Sequence, residues 1–153
     1  DVMIIGKVLS GGFYPVSATL ADESIMGLLT PGEHGSTFGG NPLGAAVARA
    51  SLRVIREEKL PQRAEELGTY FMEQLAEIPS PHVKDVRGKG LLIGVELKRE
   101  AGGARRFCEA LQERGILAKE THEHVIRFAP PLIIDRETID WALPHIREVL
   151  NMP

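Results

Sequence analysis

The feature that most restricts this chain is a change of hydrophobic period near its middle. Leu43, Val47, Ala50 and Val54 recur at intervals of four, three and four, the stripe of an amphipathic helix. Asn41-Pro42 stands in front of it as a helix start, with Asn as N-cap and Pro in the first helical position. Leu60, Ala64, Leu67, Phe71, Leu75 and Ile78 predict a second helix, closed by Pro79 and Pro81. Beyond it the pattern becomes short apolar runs separated by turn residues. Strands are predicted over 83–86 and 91–97, around a turn at Arg87-Gly88-Lys89-Gly90. A helix follows over 105–114, with Phe107 and Leu111 on one face and Gly115 as its stop. Short strands over 116–119 and 125–129 come next. Asp135 then caps a last helix through Ile139, Leu143, Ile146 and Leu150, in which Pro144 predicts a kink or an early end. From about residue 79 onward the chain therefore reads as a small α+β unit.

The first forty residues lack this periodicity. Val2-Met3-Ile4-Ile5 is an opening strand, Ser10-Gly11-Gly12-Phe13-Tyr14-Pro15 a turn, and 16–20 a second short strand. Residues 30–40 form a loop containing four glycines. A compact domain rarely keeps so long a loop unless the loop does something. Because the chain starts inside an apolar strand, with neither Met nor a signal-peptide pattern, it is expected to be a piece of a longer protein.

Composition narrows the function classes. With 43% hydrophobic residues among 153, the chain is too apolar to be disordered. Its 18 Lys+Arg against 21 Asp+Glu give a net charge of −3, so no basic excess points to nucleic acid or an anionic membrane surface. The apolar run at 91–95 is far short of the roughly 20 residues of a membrane span. A single cysteine, Cys108, excludes an internal disulfide framework and fits a reducing compartment; a cytoplasmic location is the expectation. Five histidines without a CxxC give no zinc pattern, so no metal is expected.

Several residues could carry chemistry. Lys7 ends an apolar strand beside a glycine-rich turn; it is either a surface lysine or an amine poised to condense with a carbonyl. Gly35-Ser36-Thr37-Phe38-Gly39-Gly40 leads into the helix at Asn41, where backbone N–H groups, hydroxyls and the helix dipole suit a phosphate; a plain capped helix start reads equally well. Arg127 lies mid-strand and needs a carboxylate, internal or from a ligand. His122 and His124 read as a solvated turn, Arg87-Gly88-Lys89-Gly90 as a turn, and Cys108 as core.

Taken together, Gly6-Lys7 with Leu9-Ser10-Gly11-Gly12, Pro15-Val16-Ser17, and the stretch from His34 to Leu43 resemble the class III aminotransferases. The likeness continues through Val86-Arg87-Gly88-Lys89-Gly90-Leu91 and Val125-Ile126-Arg127-Phe128-Ala129-Pro130-Pro131-Leu132, in the right order along the chain. The resemblance implies an α/β fold, the C-terminal part of a fold-type I enzyme using pyridoxal phosphate. Residues 1–60 would be the end of the large cofactor-binding domain, and 61–153 a linking helix and the small C-terminal α+β domain. It also implies that Lys7 holds the cofactor and moves the proton. Ser36 and Thr37 would bind the cofactor phosphate of the other subunit of a homodimer, and Arg127 would take the α-carboxylate of glutamate or 2-oxoglutarate. Pro31-Gly32-Glu33-His34 and the block from Lys119 to Pro131 are most similar to the ornithine-acting members. Those members pass the δ-amino group of L-ornithine to 2-oxoglutarate and leave glutamate 5-semialdehyde. Acetylornithine- or 4-aminobutyrate-acting members, and a non-catalytic dimerisation remnant, are the alternatives. In the family, the acid that pairs with the pyridine nitrogen lies upstream of the lysine, so the isolated chain is expected to be inactive.

Overall fold

A computed structural model over residues 1–153 divides into two units, Asp1–Lys59 and Leu60–Pro153. In the first, β1 (Val2–Ile5) pairs antiparallel with β2 (Ala18–Ala21), from Val2 opposite Ala21 to Ile5 opposite Ala18. β2 begins two residues later than the sequence suggests. The chain leaves the strand at Gly6 and turns at Lys7, whose φ is 57°, so Val16 and Ser17 have no strand to pair with. A single helical turn, α1 (Glu23–Met26), follows.

The next helix, α2 (Pro42–Glu57), starts as expected, with the Asn41 side chain accepting the Gly44 N–H at 2.7 Å. Its buried side is not the expected one. Gly44 and Ala48 are buried and Ser51 and Ile55 half-buried, whereas Leu43 and Val54 stand 58% and 46% exposed. The reason is the turn before it. A methyl group at Gly44 would lie 3.3 Å from the Tyr14 ring, and one at Gly11 would lie 3.6 Å from Ser51 Oγ. Small residues on that side of α2 let the turn settle there, and the larger apolar residues face away.

The second unit opens with α3 (Leu60–Ala76) and continues through β3 (Val83–Lys89), β4 (Leu92–Leu97) and a 3₁₀ turn at Arg99–Ala101. It is completed by α4 (Arg105–Glu113), β5 (Lys119–Thr121), β6 (Val125–Phe128) and α5 (Arg136–Leu150). The strands pair antiparallel in the order β3-β4-β6-β5. Ile93, Val95, Leu97, Ile126 and Phe128 point to one face. Against them pack Phe71 and Leu75 of α3, Phe107 and Leu111 of α4, and Ile139, Ile146 and Val149 of α5. Phe71 meets Phe128 edge to face at 5.7 Å, and Cys108 lies in this core.

Three sequence expectations are corrected here. Arg87 and Gly88 are not a turn but continue β3. Lys89 pairs with Leu92, which leaves Gly90-Leu91 as a two-residue hairpin loop with Gly90 at φ 54°. The strand expected at 116–119 is displaced to Lys119–Thr121, because the Ile116 N–H closes the end of α4 on the Leu111 carbonyl, 3.0 Å away, and Ile116 packs on the core. Pro144 does not end α5. The carbonyl it leaves without a helical donor belongs to Asp140, which is exposed to water, and buried Ile139 and Ile146 hold the helix on either side.

The tightest packing of the unit is that of α3 on the hairpin. A methyl group at Gly68 would fall 2.1 Å from the Gly90 carbonyl oxygen. Gly68→Ala is therefore expected to cost about 2 kcal/mol or more despite the better helix propensity of alanine, measured as a lower denaturant midpoint.

Asp135 caps α5 by accepting the Thr138 N–H at 2.7 Å, and bonds from the Thr138 side chain and backbone hold its carboxyl below its ordinary value. A depressed carboxyl stabilises the fold above the unfolded-state value of about 4 and ceases to as pH falls through the folded-state value. Asp135→Ala should thus lower the melting temperature at pH 7, with the gap to the parent narrowing as the pH drops below about 4.

Candidate functional site

In the first unit, the chain leaving β1 and the loop entering α2 line one cleft of about 890 Å³. Lys7 reaches it from the strand end, in a left-handed conformation that a residue with a Cβ adopts at a cost of about 1–3 kcal/mol. Such strain persists only where the surroundings enforce it. Here they do. A methyl group at Gly6 would come 3.0 Å from Ser17 Cβ, so the backbone is pressed against β2's lead-in just before it turns. After Lys7 the turn is closed by the Leu9 N–H on the Gly6 carbonyl at 3.2 Å and the Gly11 N–H on the Val8 carbonyl at 2.9 Å.

Ser10 organises the next bend. It is 1% exposed, its hydroxyl donates to the Tyr14 carbonyl, and its Oγ accepts the Tyr14 N–H at 3.1 Å. Tyr14 and Phe13 thereby become walls of the cleft. Sequence reasoning missed both roles. The signal available was a polar residue followed by two glycines and two aromatics, which reads as a turn but does not say what the turn encloses.

The opposite wall is the loop before α2. Ser36 Oγ accepts the Gly39 N–H at 3.0 Å, and Asn41 Nδ2 donates to the Phe38 carbonyl at 2.8 Å while its Oδ1 caps the helix. Further back, Glu33 accepts the Thr30 N–H at 2.7 Å, and that bond holds its carboxyl below the usual range. The loop is thus ordered by its own side chains. Gly39, Gly40 and Asn41 line the cleft beside Ser36, and no atom lies within 4 Å of where a side chain at Gly40 would begin. Ser36 and the start of α2 thus form one wall of the cleft, and Lys7 lines the other. That donor set suits a phosphate-bearing aldehyde.

The structure thus brings Lys7 and Ser36 to a common cleft, while Thr37, next to Ser36, is not part of its lining. The Lys7 side chain is exposed, not desolvated. Arg127 belongs to the second unit. It sits at the centre of β6 on the face away from the core, opposite Gly94 on one side and Lys119 on the other. Within residues 1–153, Arg127 joins none of the ion pairs. Arg87 does, to Asp85 at 2.7 Å and Glu96 at 2.6 Å, which raises its affinity for its proton.

Residues 1–150 match the family described as Aminotransferase class-III. The chain is 54% identical over 150 residues to an ornithine aminotransferase of Bordetella pertussis, covering 98% of this chain and 36% of that one. Among solved structures, the ornithine aminotransferase from Plasmodium yoelii superimposes with a TM-score of 0.91 at 45% identity, over 98% of this chain and 40% of its own. An acetylornithine aminotransferase from Elizabethkingia anophelis does so with a TM-score of 0.89, also at 45% identity, over 98% and 38%. The chain spans just over a third of the length of the curated relative it matches.

Proposed function

This chain belongs to the class III aminotransferases, and from that premise we propose that it is the C-terminal part of an enzyme moving the δ-amino group of L-ornithine to 2-oxoglutarate. The observation that carries the reading is the placing of Lys7, in a left-handed backbone turn at the end of β1, on the wall of an open cleft. On this reading the first unit is the end of the cofactor-binding domain and the second the small C-terminal domain. The Bordetella and Plasmodium relatives support ornithine as the donor. The Elizabethkingia structure keeps an acetylornithine-type donor as the second reading, which amine-donor screening of the whole enzyme would separate. No helix is long and apolar enough to cross a membrane, in keeping with a proposed place in the cytoplasm.

Pyridoxal phosphate, when bound, supplies an aldehyde for the Lys7 amine and a conjugated ring that delocalises the charge left when a substrate carbon loses its proton. The residues do the rest. Lys7 would hold the cofactor through its amine, and its Nζ would take up and return that proton. The turn that follows it takes left-handed backbone at Gly11 and Gly12. Ser36 and Thr37 would hold the phosphate, of their own or a partner subunit's cofactor, with hydroxyls near the positive end of α2. Arg127 grips a carboxylate of glutamate or 2-oxoglutarate with its planar fork.

Two measurements test the reading on the whole enzyme. Borohydride reduction with the cofactor should add one cofactor mass to the parent and none to Lys7→Ala; an equal increment on both sinks Lys7 as the attachment point. The second asks which subunit the loop serves. If Ser36 and Thr37 act on a partner's cofactor in a homodimer, mixing inactive Lys7→Ala chains with inactive Ser36→Ala/Thr37→Val chains restores activity, because each hybrid contains one intact site. If the loop serves its own chain, mixing restores nothing.

A further inference from the structure

Ser10 is the only buried polar side chain of residues 1–153, at 1% exposure, and it stands three residues after Lys7. Burying a hydroxyl is costly unless its hydrogen bonds are made. Here both are made, and to one residue. The hydroxyl donates to the Tyr14 carbonyl and its Oγ accepts the Tyr14 N–H at 3.1 Å. Any further chain could bury Ser10 more, but could not uncover it.

The backbone around Lys7 is otherwise a run of short closures. The Gly6 carbonyl accepts the Leu9 N–H at 3.2 Å, the Val8 carbonyl the Gly11 N–H at 2.9 Å, and the Ser10 carbonyl the Phe13 N–H at 3.3 Å. Two of these three are longer than the usual N–H···O separation of about 2.9–3.0 Å. Each reaches only three residues, so none ties the turn to anything outside it. Yet Lys7 keeps a φ of 57°, a conformation that persists only where its surroundings enforce it. Gly6 fixes the turn at its start, where a methyl group would come 3.0 Å from Ser17 Cβ. Ser10 fixes it at the far end, because Tyr14 is itself lodged against α2: a methyl group at Gly44 would come 3.3 Å from its ring. Lys7 lies between the two fixed points.

We infer that Ser10 is a positioning residue for Lys7: by bonding both backbone groups of Tyr14, it holds the lysine in the left-handed conformation from which its side chain enters the cleft. This rests on the proposed transamination, which gives the Lys7 amine a cofactor to hold. Ser10 is buried and is not part of the cleft lining, so it acts on the cofactor only through Lys7.

Ser10→Ala in the whole enzyme tests this through two readouts that do not depend on turnover. In the cofactor-free protein, deuterium uptake by the backbone of residues 6–14 should quicken about tenfold, the size of one or two lost hydrogen bonds, while uptake over α5 stays unchanged. The second readout is affinity for pyridoxal phosphate, measured with Ser10→Ala alone, Lys7→Ala alone and both together. Ser10→Ala should weaken binding about tenfold where Lys7 is present and by less than about twofold where Lys7→Ala has already removed the amine. A merely structural role would weaken binding in both backgrounds. Ser10→Cys, close in volume but a weaker donor and acceptor, should fall between the parent and Ser10→Ala, and replaces Ser10→Ala in every arm if that variant does not fold. If the loss of affinity is the same with and without Lys7, or if neither uptake nor affinity changes, the role of Ser10 is overturned and that of Lys7 stands. If borohydride adds the cofactor to Lys7→Ala as it does to the parent, the reading of Lys7 falls and the role of Ser10 with it.

Discussion

Burial of one face of the sheet β3-β4-β6-β5 is the interaction on which the second unit depends. Ile93, Val95, Ile126 and Phe107, all at most 1% exposed, belong to a single core. Removing any of them would forfeit transfer free energy and leave a cavity. The close approach of α3 at Gly68 and Gly90 brings that helix down onto the β3–β4 hairpin. With three helices committed to one face, the other carries mostly polar residues, with Leu92 and Val125 among them. The position of Arg127 is thus a consequence of packing: its neighbours Ile126 and Phe128 are claimed by the core, so the residue between them must face outward.

The first unit is built on another principle. It has little apolar core of its own, and Met3, Ile4, Phe13, Leu28 and Phe38 are exposed. Beside the pairing of β1 with β2, what fixes its shape is a set of local side-chain bonds: Ser10 with Tyr14, Ser36 with Gly39, Asn41 with Gly44. Each spans three or four residues, so each shapes a turn without joining distant segments. Such a unit positions groups well and stabilises itself poorly. Its exposed apolar surface is what one expects where the remainder of a longer enzyme, nearly two thirds of it by the length of the Bordetella relative, would supply the cover.

How much of this could be read from the sequence follows from the range of the interactions. The start of α2 was legible because Asn41 and Pro42 act within one turn, and the core side of α4 because Phe107 and Leu111 recur at its own period. The buried side of α2 was not. The choice of Gly44 and Ala48 over Leu43 and Val54 is made by Tyr14, some thirty residues away and invisible to a periodicity argument. The hairpin between β3 and β4 slipped for a related reason. Two glycines, Gly88 and Gly90, offered two turns, and only the pairing of Lys89 with Leu92 decides between them. At the site, Lys7 and Ser36 each carried a local signal, but their sharing of a cleft is tertiary. Arg127 was legible as an arginine needing a partner. That Lys119 stands opposite it is a matter of register, and the strand that carries Lys119 was expected three residues too early.

The two halves of the proposed chemistry make different demands, and the two units answer them differently. An amine that must be released, take up a proton and return it needs room, and Lys7 stands on a glycine-rich turn held by short-range bonds. A pair of like charges needs the opposite. Lys119 and Arg127 would relax apart if their strands could slip or fray. On β6 Ile126 is fully buried and Phe128 nearly so, while on β5 Glu120, facing the other way, is tied to Arg105. A one-residue slip of β6 would turn Ile126 and Phe128 out to water, at about 1.5–3 kcal/mol for each side chain. That exceeds what a solvent-screened repulsion between exposed charges can recover. The pairing of Lys119 with Arg127 is therefore fixed by the core on the other side of the sheet, not by any attraction between the two side chains.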